Sequence, residues 1–235
     1  MAWTAIFHLG DLPLTLSAGA AIAAWLLAGG EGRAAVRWLL AFGFALGVVG
    51  ASKIAYLGWA TGLPALHFKA LSGHAAGFAA TFPMLCWLCT RGAHPVIRRL
   101  AAFGAIAATT GVAMALVVAR QHSPAEAAGG WLAGMAACAV TLRRLPVRRQ
   151  QASGAAAWPV VAFAFCACVT GIVPVGYWMV KAALLLSGNR RPTPWTQQPD
   201  FSTMSNRRQA CPVHPSTMYP GSDRASSTAA RRTRC

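Results

Sequence analysis

The chain has 235 residues, 56% of them hydrophobic and 11% charged, with a net charge of +16 from 21 Lys+Arg against 5 Asp+Glu. Soluble domains carry about 25% charged residues, so this much apolar surface excludes an ordinary water-soluble fold and asks for a bilayer, spanned by helices. A nucleic-acid partner is excluded by where the charge lies: nine basic residues fall in three short loops and eight in the C-terminal tail, with no basic amphipathic face.

In chain order, residues 1–12 read as a short amphipathic lead-in, with Trp3 at the interface. No basic n-region and no A-x-A site accompany the first apolar run, so no cleaved signal peptide is expected. Six apolar runs follow, at 12–29, 38–60, 71–90, 100–119, 127–142 and 155–186. Each is read as a spanning helix of about the ~20 residues a bilayer needs. Their abundant Gly and Ala allow close helix approach. Lys53 interrupts the second run, and Pro174 is read as a kink in the sixth. Cys86 and Cys89 have C-x-x-C spacing but lie inside the third run, where they read as small apolar residues, and no disulfide framework is expected.

The loops between runs alternate in character. Those around Arg33 and Arg37, around Arg91, Arg98 and Arg99, and around Arg143, Arg144, Arg148 and Arg149 are arginine-rich. By the positive-inside rule they are cytoplasmic. The loops near 61–74 and 120–126 then face outward. Beyond residue 187 the composition turns to Arg, Ser, Thr, Pro and Gln, and 188–235 is expected to be a basic, disordered tail. The expected architecture is thus an all-α polytopic bundle of about six helices over 1–187.

The two outward loops hold nearly all the unusual polar residues: Lys53, His67, Lys69, Ser72 and His74 at the first, Arg120, His122, Ser123 and Glu126 at the second. Two histidines on one membrane face point to acid–base or nucleophilic work. Ser123-Pro124-Ala125-Glu126 fits a capping box with proline at the first helical position, which puts His122 just before a helix N-terminus. Ser72-Gly73-His74 opens the third run in the same way. Helix N-termini favour anions, and a phosphate suits two of them flanked by histidines and cations. Each feature also has a plainer reading: Ser72 as an N-cap, Ser123 and Glu126 as a capping box alone, His74 and His122 as interfacial residues without catalytic roles, Lys53 snorkelling to the headgroups, His67 and Lys69 as surface or headgroup contacts.

Ser72-Gly73-His74, with His122-x-x-x-Glu126 later and Lys53 ahead, resembles the type 2 phosphatidic acid phosphatase family, in the form of a divergent bacterial member. The likeness covers roughly residues 50–134. It implies a membrane hydrolase that dephosphorylates a lipid phosphate or a polyprenyl diphosphate, with a membrane lipid as partner and no cofactor or metal. By the same resemblance, Lys53 binds phosphate oxygens and Ser72 and Gly73 cradle them. His74 is the general acid and His122 the nucleophile, and Glu126 replaces the usual aspartate behind His122. The sequence departs from the family at three places: Ala60-Thr61 stands where Arg-Pro is usual, Leu71 where proline is, and Ala115-Leu116 where Ser-Arg is. Lys69 and Arg120, beside the motifs, are the candidate replacement cations. The alternatives are a non-catalytic relative that binds lipid phosphate or a partner helix, and a small transporter or structural membrane protein, which the scarcity of mid-membrane charge disfavours.

Overall fold

A computed structural model describes residues 10–145, 157–172 and 175–194. The described chain is an all-α bundle of seven α-helices: α1 Leu12–Ala28, α2 Gly32–Trp59, α3 Gly73–Thr90, α4 Pro95–Val118, α5 Pro124–Leu142, α6 Ala157–Ile172 and α7 Val175–Ser187. A 3₁₀ turn, Pro64–Leu66, and one isolated antiparallel bridge between Leu63 and Phe68 shape the loop between α2 and α3. The sixth apolar run, read as one span, contributes two described elements, α6 and α7. Pro174, the residues before Gly10 including Trp3, the loop 146–156 and the chain beyond Pro194 lie outside the described residues.

Helices start where the chain supplies a residue that can satisfy their orphan N–H groups. Ser72 caps α3 by accepting from the Ala75 N–H at 3.3 Å. Pro95 and Pro124 sit at the first helical positions of α4 and α5, where a missing N–H costs nothing. Pro83 lies inside α3, which an apolar bundle tolerates because neighbouring groups re-satisfy the freed backbone.

The core lies between α1, α2, α3 and α5. Ile22, Leu26, Trp38 and Met84 are fully buried there, and the Trp38 indole N–H donates to the Gly19 carbonyl at 2.9 Å. Much of the packing depends on glycine. A Cβ on Gly19 would strike the Phe42 ring, one on Gly77 would strike Thr15, and one on Gly134 would strike the backbone of Ala76 and Ala80. α6 packs on α1 and α7 on α2. After α7 the chain stays on α2: the Thr193 N–H donates to the Leu57 carbonyl at 2.9 Å, and the Tyr56 hydroxyl donates to the Pro194 carbonyl at 3.2 Å.

The outer surface is apolar. Phe44 is 74% exposed and Phe103 70% exposed, together with Leu40, Leu100, Met114 and Val118. Water would penalise such a surface, and a patch this extensive marks contact with a non-aqueous phase. α2, α4 and α5 are each long and apolar enough to cross a membrane; α1, α6 and α7 are shorter apolar helices. The protein is accordingly membrane-associated through these helices.

Helix pairing sorts the loops into two ends. Asp11, the end of α2, the start of α3, the end of α4 and the start of α5 gather at one end. The described arginine-rich turns lie at the other. There Arg91, only 4% exposed, donates from Nη1 to both Glu31 carboxylate oxygens at 2.9 and 3.1 Å. Its guanidinium also lies 5.8 Å from the centre of the Trp87 ring. Arg91 and Glu31 read from sequence as loop charges. In the fold they tie the α1–α2 turn to the end of α3, a pairing that a buried arginine requires.

Candidate functional site

The site is built on the first turns of α3 and α5. Ser123 and Glu126 form a complete capping box. The Ser123 hydroxyl accepts from the Glu126 N–H at 3.2 Å, and Glu126 Oε2 accepts from the Ser123 N–H at 3.2 Å. That arrangement bends the Glu126 side chain back over the helix start, where His122 sits. Glu126 Oε2 lies 3.0 Å from His122 Nδ1. The other carboxylate oxygen, Oε1, accepts from the Lys69 backbone N–H at 2.8 Å. Glu126 is buried, so each of these bonds is worth more than at an exposed surface.

The two helix starts are stitched together. The Ser72 N–H donates to the Glu126 carbonyl at 3.0 Å, and the Leu71 N–H donates to the Ser52 hydroxyl at 3.1 Å. A Cβ on Gly130 would collide with the Ser72 carbonyl, so the start of α3 and the second turn of α5 touch backbone to backbone. The result faces two histidine rings toward one another. The His74 and His122 ring centres are 6.3 Å apart and inclined at 53°.

Lys53 reaches the same place from α2. Its Nζ lies 3.4 Å from the point a Cβ on Gly73 would occupy, so the ammonium rests on the Ser72-Gly73-His74 turn. Ser72 is completely buried.

The fold therefore brings together Lys53, Ser72, Gly73, His74, His122 and Glu126, and adds Lys69 through its backbone. It does not bring in Arg120. That residue is exposed, in the left-handed region at φ 57°, in the turn that ends α4. Among the described residues its side chain makes no hydrogen bond or ion pair.

One member of the cluster escaped the sequence reading. Asp11 Oδ1 lies 3.1 Å from His74 Nε2. The signal was present: Asp11 is an acid directly before the first apolar run, a natural helix start, and alternation of the helices puts that start at the histidine end. The sequence alone does not show that its carboxylate turns sideways to a residue 63 positions later.

With His122 Nδ1 occupied by Glu126, Nε2 is the nitrogen left for chemistry. A carboxylate-backed imidazole with a second histidine about one small anion away is an arrangement able to deliver a nucleophile and a proton to the same group. Beside it, between the end of α4 and the start of α5, runs an apolar groove of about 330 Å³. Ala113, Met114 and Val117 line one wall, and Pro124, Ala128 and Trp131 the other. The Trp131 indole N–H donates to the Thr109 hydroxyl at 3.1 Å, which fixes the floor. Pro124 immediately follows Ser123 of the capping box, so the groove begins one residue from the polar cluster.

No family model matches the chain, and no solved structure matches it. A curated relative does. It is the "Uncharacterized 22.5 kDa protein in cps region" of Klebsiella pneumoniae, 30% identical over 194 residues that cover 82% of this chain and 87% of that protein. The aligned length takes in most of the described bundle, and at that identity and coverage the chain belongs to the same family as this Klebsiella pneumoniae protein.

Proposed function

We propose that the protein is a membrane phosphatase that removes phosphate from a lipid phosphate or a polyprenyl diphosphate through a phospho-histidine intermediate, at the outer face of a bacterial-type inner membrane. The observation that carries the reading is the facing pair of histidines, one of them backed at Nδ1 by Glu126 at 3.0 Å. The resemblance of Ser72-Gly73-His74 and His122-x-x-x-Glu126 to the type 2 phosphatidic acid phosphatases supports it. The outer location rests on the arginine-rich turns at the opposite end.

The chemistry we propose combines the roles that the resemblance implies with this arrangement. His122 Nε2 attacks phosphorus, a P–N bond forms and the P–O bond to the lipid breaks. The leaving oxygen takes a proton from His74. Lys53 and the N–H groups at the start of α3 offset the charge on the equatorial oxygens. Glu126 holds the His122 ring and its tautomer and stabilises the imidazolium character that develops. Water then attacks the phospho-histidine: a new P–O bond forms, the P–N bond to His122 breaks, His74 accepts the water proton, and inorganic phosphate leaves with His122 regenerated. Holding nucleophile and acid around one phosphate removes most of the orientational cost of the reaction.

The groove between α4 and α5 supports an amphiphilic substrate. It lies at the low end of the ~300–1,000 Å³ range of ligand sites and runs from the polar cluster along apolar helix faces. Replacing Ala128 by Trp fills it. Losing roughly 60 Å² of apolar burial at ~25 cal/mol/Å² costs ~1.5 kcal/mol, about ten-fold in affinity. The expected result is a KM for a long-chain lipid phosphate that rises about ten-fold relative to that for a short-chain phosphate ester, measured in mixed micelles. An equal change for both substrates would remove the groove from the reading.

The decisive assay is release of inorganic phosphate by the purified full chain from phosphatidic acid and from a polyprenyl diphosphate. Release from neither overturns the proposal. A second reading, a non-catalytic relative that binds lipid phosphate, is favoured by the exposed position of Arg120 outside the cluster and by the missing motif arginines. Trapping a radiolabelled phospho-histidine separates the two readings.

A further inference from the structure

Asp11 is the first residue before α1, and it behaves unlike an ordinary cap. An aspartate there normally accepts from the second or third N–H of its own helix. Pro13 removes one of those donors, and the Asp11 carboxylate makes no cap bond to α1. It turns instead to α3, where Oδ1 meets His74 Nε2 at 3.1 Å. The turn is pressed against that residue: a Cβ on Gly10 would lie 2.7 Å from His74 Cα and Cβ. The contact thus spans two helices.

We propose that Asp11 is a positioning residue for His74: by accepting from Nε2–H, it fixes the ring so that Nδ1 is the nitrogen that gives the proton to the leaving oxygen and takes it back from water. The role as proton donor rests on the phosphatase reading; the hold on the ring does not. The two histidines then form complementary dyads. Glu126 takes Nδ1 of His122 and leaves Nε2 to attack, while Asp11 takes Nε2 of His74 and leaves Nδ1 to protonate. The proton count closes. His74 enters as imidazolium with a proton on each nitrogen. It gives the Nδ1 proton to the oxygen as the P–O bond breaks, and stays neutral with its Nε2–H on Asp11. It then regains a proton at Nδ1 from the attacking water.

The charges around His74 show why a carboxylate is needed there. Burial is the largest influence and pushes the His74 pKa below its ordinary value; His122, from the turn before α5, and Lys53, from α2, push it the same way. Glu126 stands behind His122 and is engaged with it. Asp11, from the start of α1, is the carboxylate in direct contact with the His74 ring, and it favours the imidazolium that an acid must be.

The test uses the full chain in detergent with Asp11→Asn. Asparagine keeps the size and the oxygen but loses the charge. The expected result is a kcat at neutral pH lower by roughly 10- to 100-fold, part of the ~10²–10⁴ that a positioned acid contributes. KM should be little changed, and the alkaline limb of the pH–rate profile should move to lower pH. Asp11→Glu should restore part of the rate. The second measurement needs no turnover: ring-nitrogen NMR of His74, identified by the signal lost in His74→Ala. Asp11→Asn should shift its titration and dissolve its preference for the Nε2–H tautomer. An unchanged His74 titration together with an unchanged pH profile overturns the proposal. A wild-type protein that releases no phosphate overturns the phosphatase reading and the proton-donor role, whereas a shifted His74 signal in the same sample upholds the hold of Asp11 on the ring.

Discussion

Replacing His122 by Ala is expected to lower phosphate release by roughly 10⁴-fold or more, because the bond-forming nitrogen itself is removed. Phosphate binding should survive, since Lys53 and the N–H groups at the start of α3 remain. The expected signature is therefore a collapse of kcat with retained affinity for a lipid phosphate. Radiolabel trapped on protein after acid-free quenching should vanish with it. Glu126→Gln should act through the same nitrogen more mildly. Both carboxylate oxygens accept from N–H groups, Oε1 from Lys69 and Oε2 from Ser123, with His122 Nδ1 also on Oε2. An amide must point its own NH₂ at one of these donors, so the ring loses its hold. A loss of about 10²-fold in kcat is expected, comparable to removing one preorganised contact. Normal turnover by His122→Ala would remove that residue from the nucleophile role outright.

The contrast between the two histidine partners shows how far the sequence could be read. His122 and Glu126 are four residues apart, on either side of a Ser-Pro helix start. Capping-box chemistry demands that Glu126 fold back over the first turn, so the contact is local and visible in the one-dimensional pattern. His74 and Asp11 are joined only because α1 and α3 run parallel, with Thr15 against Gly77 and Gly10 against His74. No spacing encodes that. The apolar runs were legible for a similar reason, since the bilayer imposes its length on the sequence. The packing partners of the last run were not, because hydropathy does not say that α6 lies on α1 and α7 on α2. The pairing of Arg91 with Glu31, 60 residues apart, was not legible either. Burial of the pair follows from the turn geometry of α1 and α2, which composition does not contain.

The other large effect concerns the frame that holds the site. Gly134 of α5 faces the backbone of α3. A Cβ there would overlap the Ala76 carbonyl and stand 2.9 Å from the Ala80 nitrogen. Neither is a side chain that can swing aside, so Gly134→Val forces α3 and α5 apart. Overpacking usually costs ~1–3 kcal/mol, and more when the obstacle is backbone. In an apolar surround, where helices associate mainly through close packing, no competing hydrophobic gain offsets the loss. The damage should travel one turn further, to Gly130 against Ser72. From there it should reach the Ser72 N–H to Glu126 carbonyl bond that sets the two histidines face to face. The expected result is a markedly lower thermal midpoint in detergent together with loss of phosphate release. Gly104 and Gly111 on α4 provide the control, because a Cβ at either meets nothing within 4 Å. There Gly→Ala should be neutral or stabilising by ~0.5–1 kcal/mol through helix propensity alone. Equal midpoints for Gly134→Val and Gly104→Ala would mean that the close crossing of α3 and α5 does not hold the site.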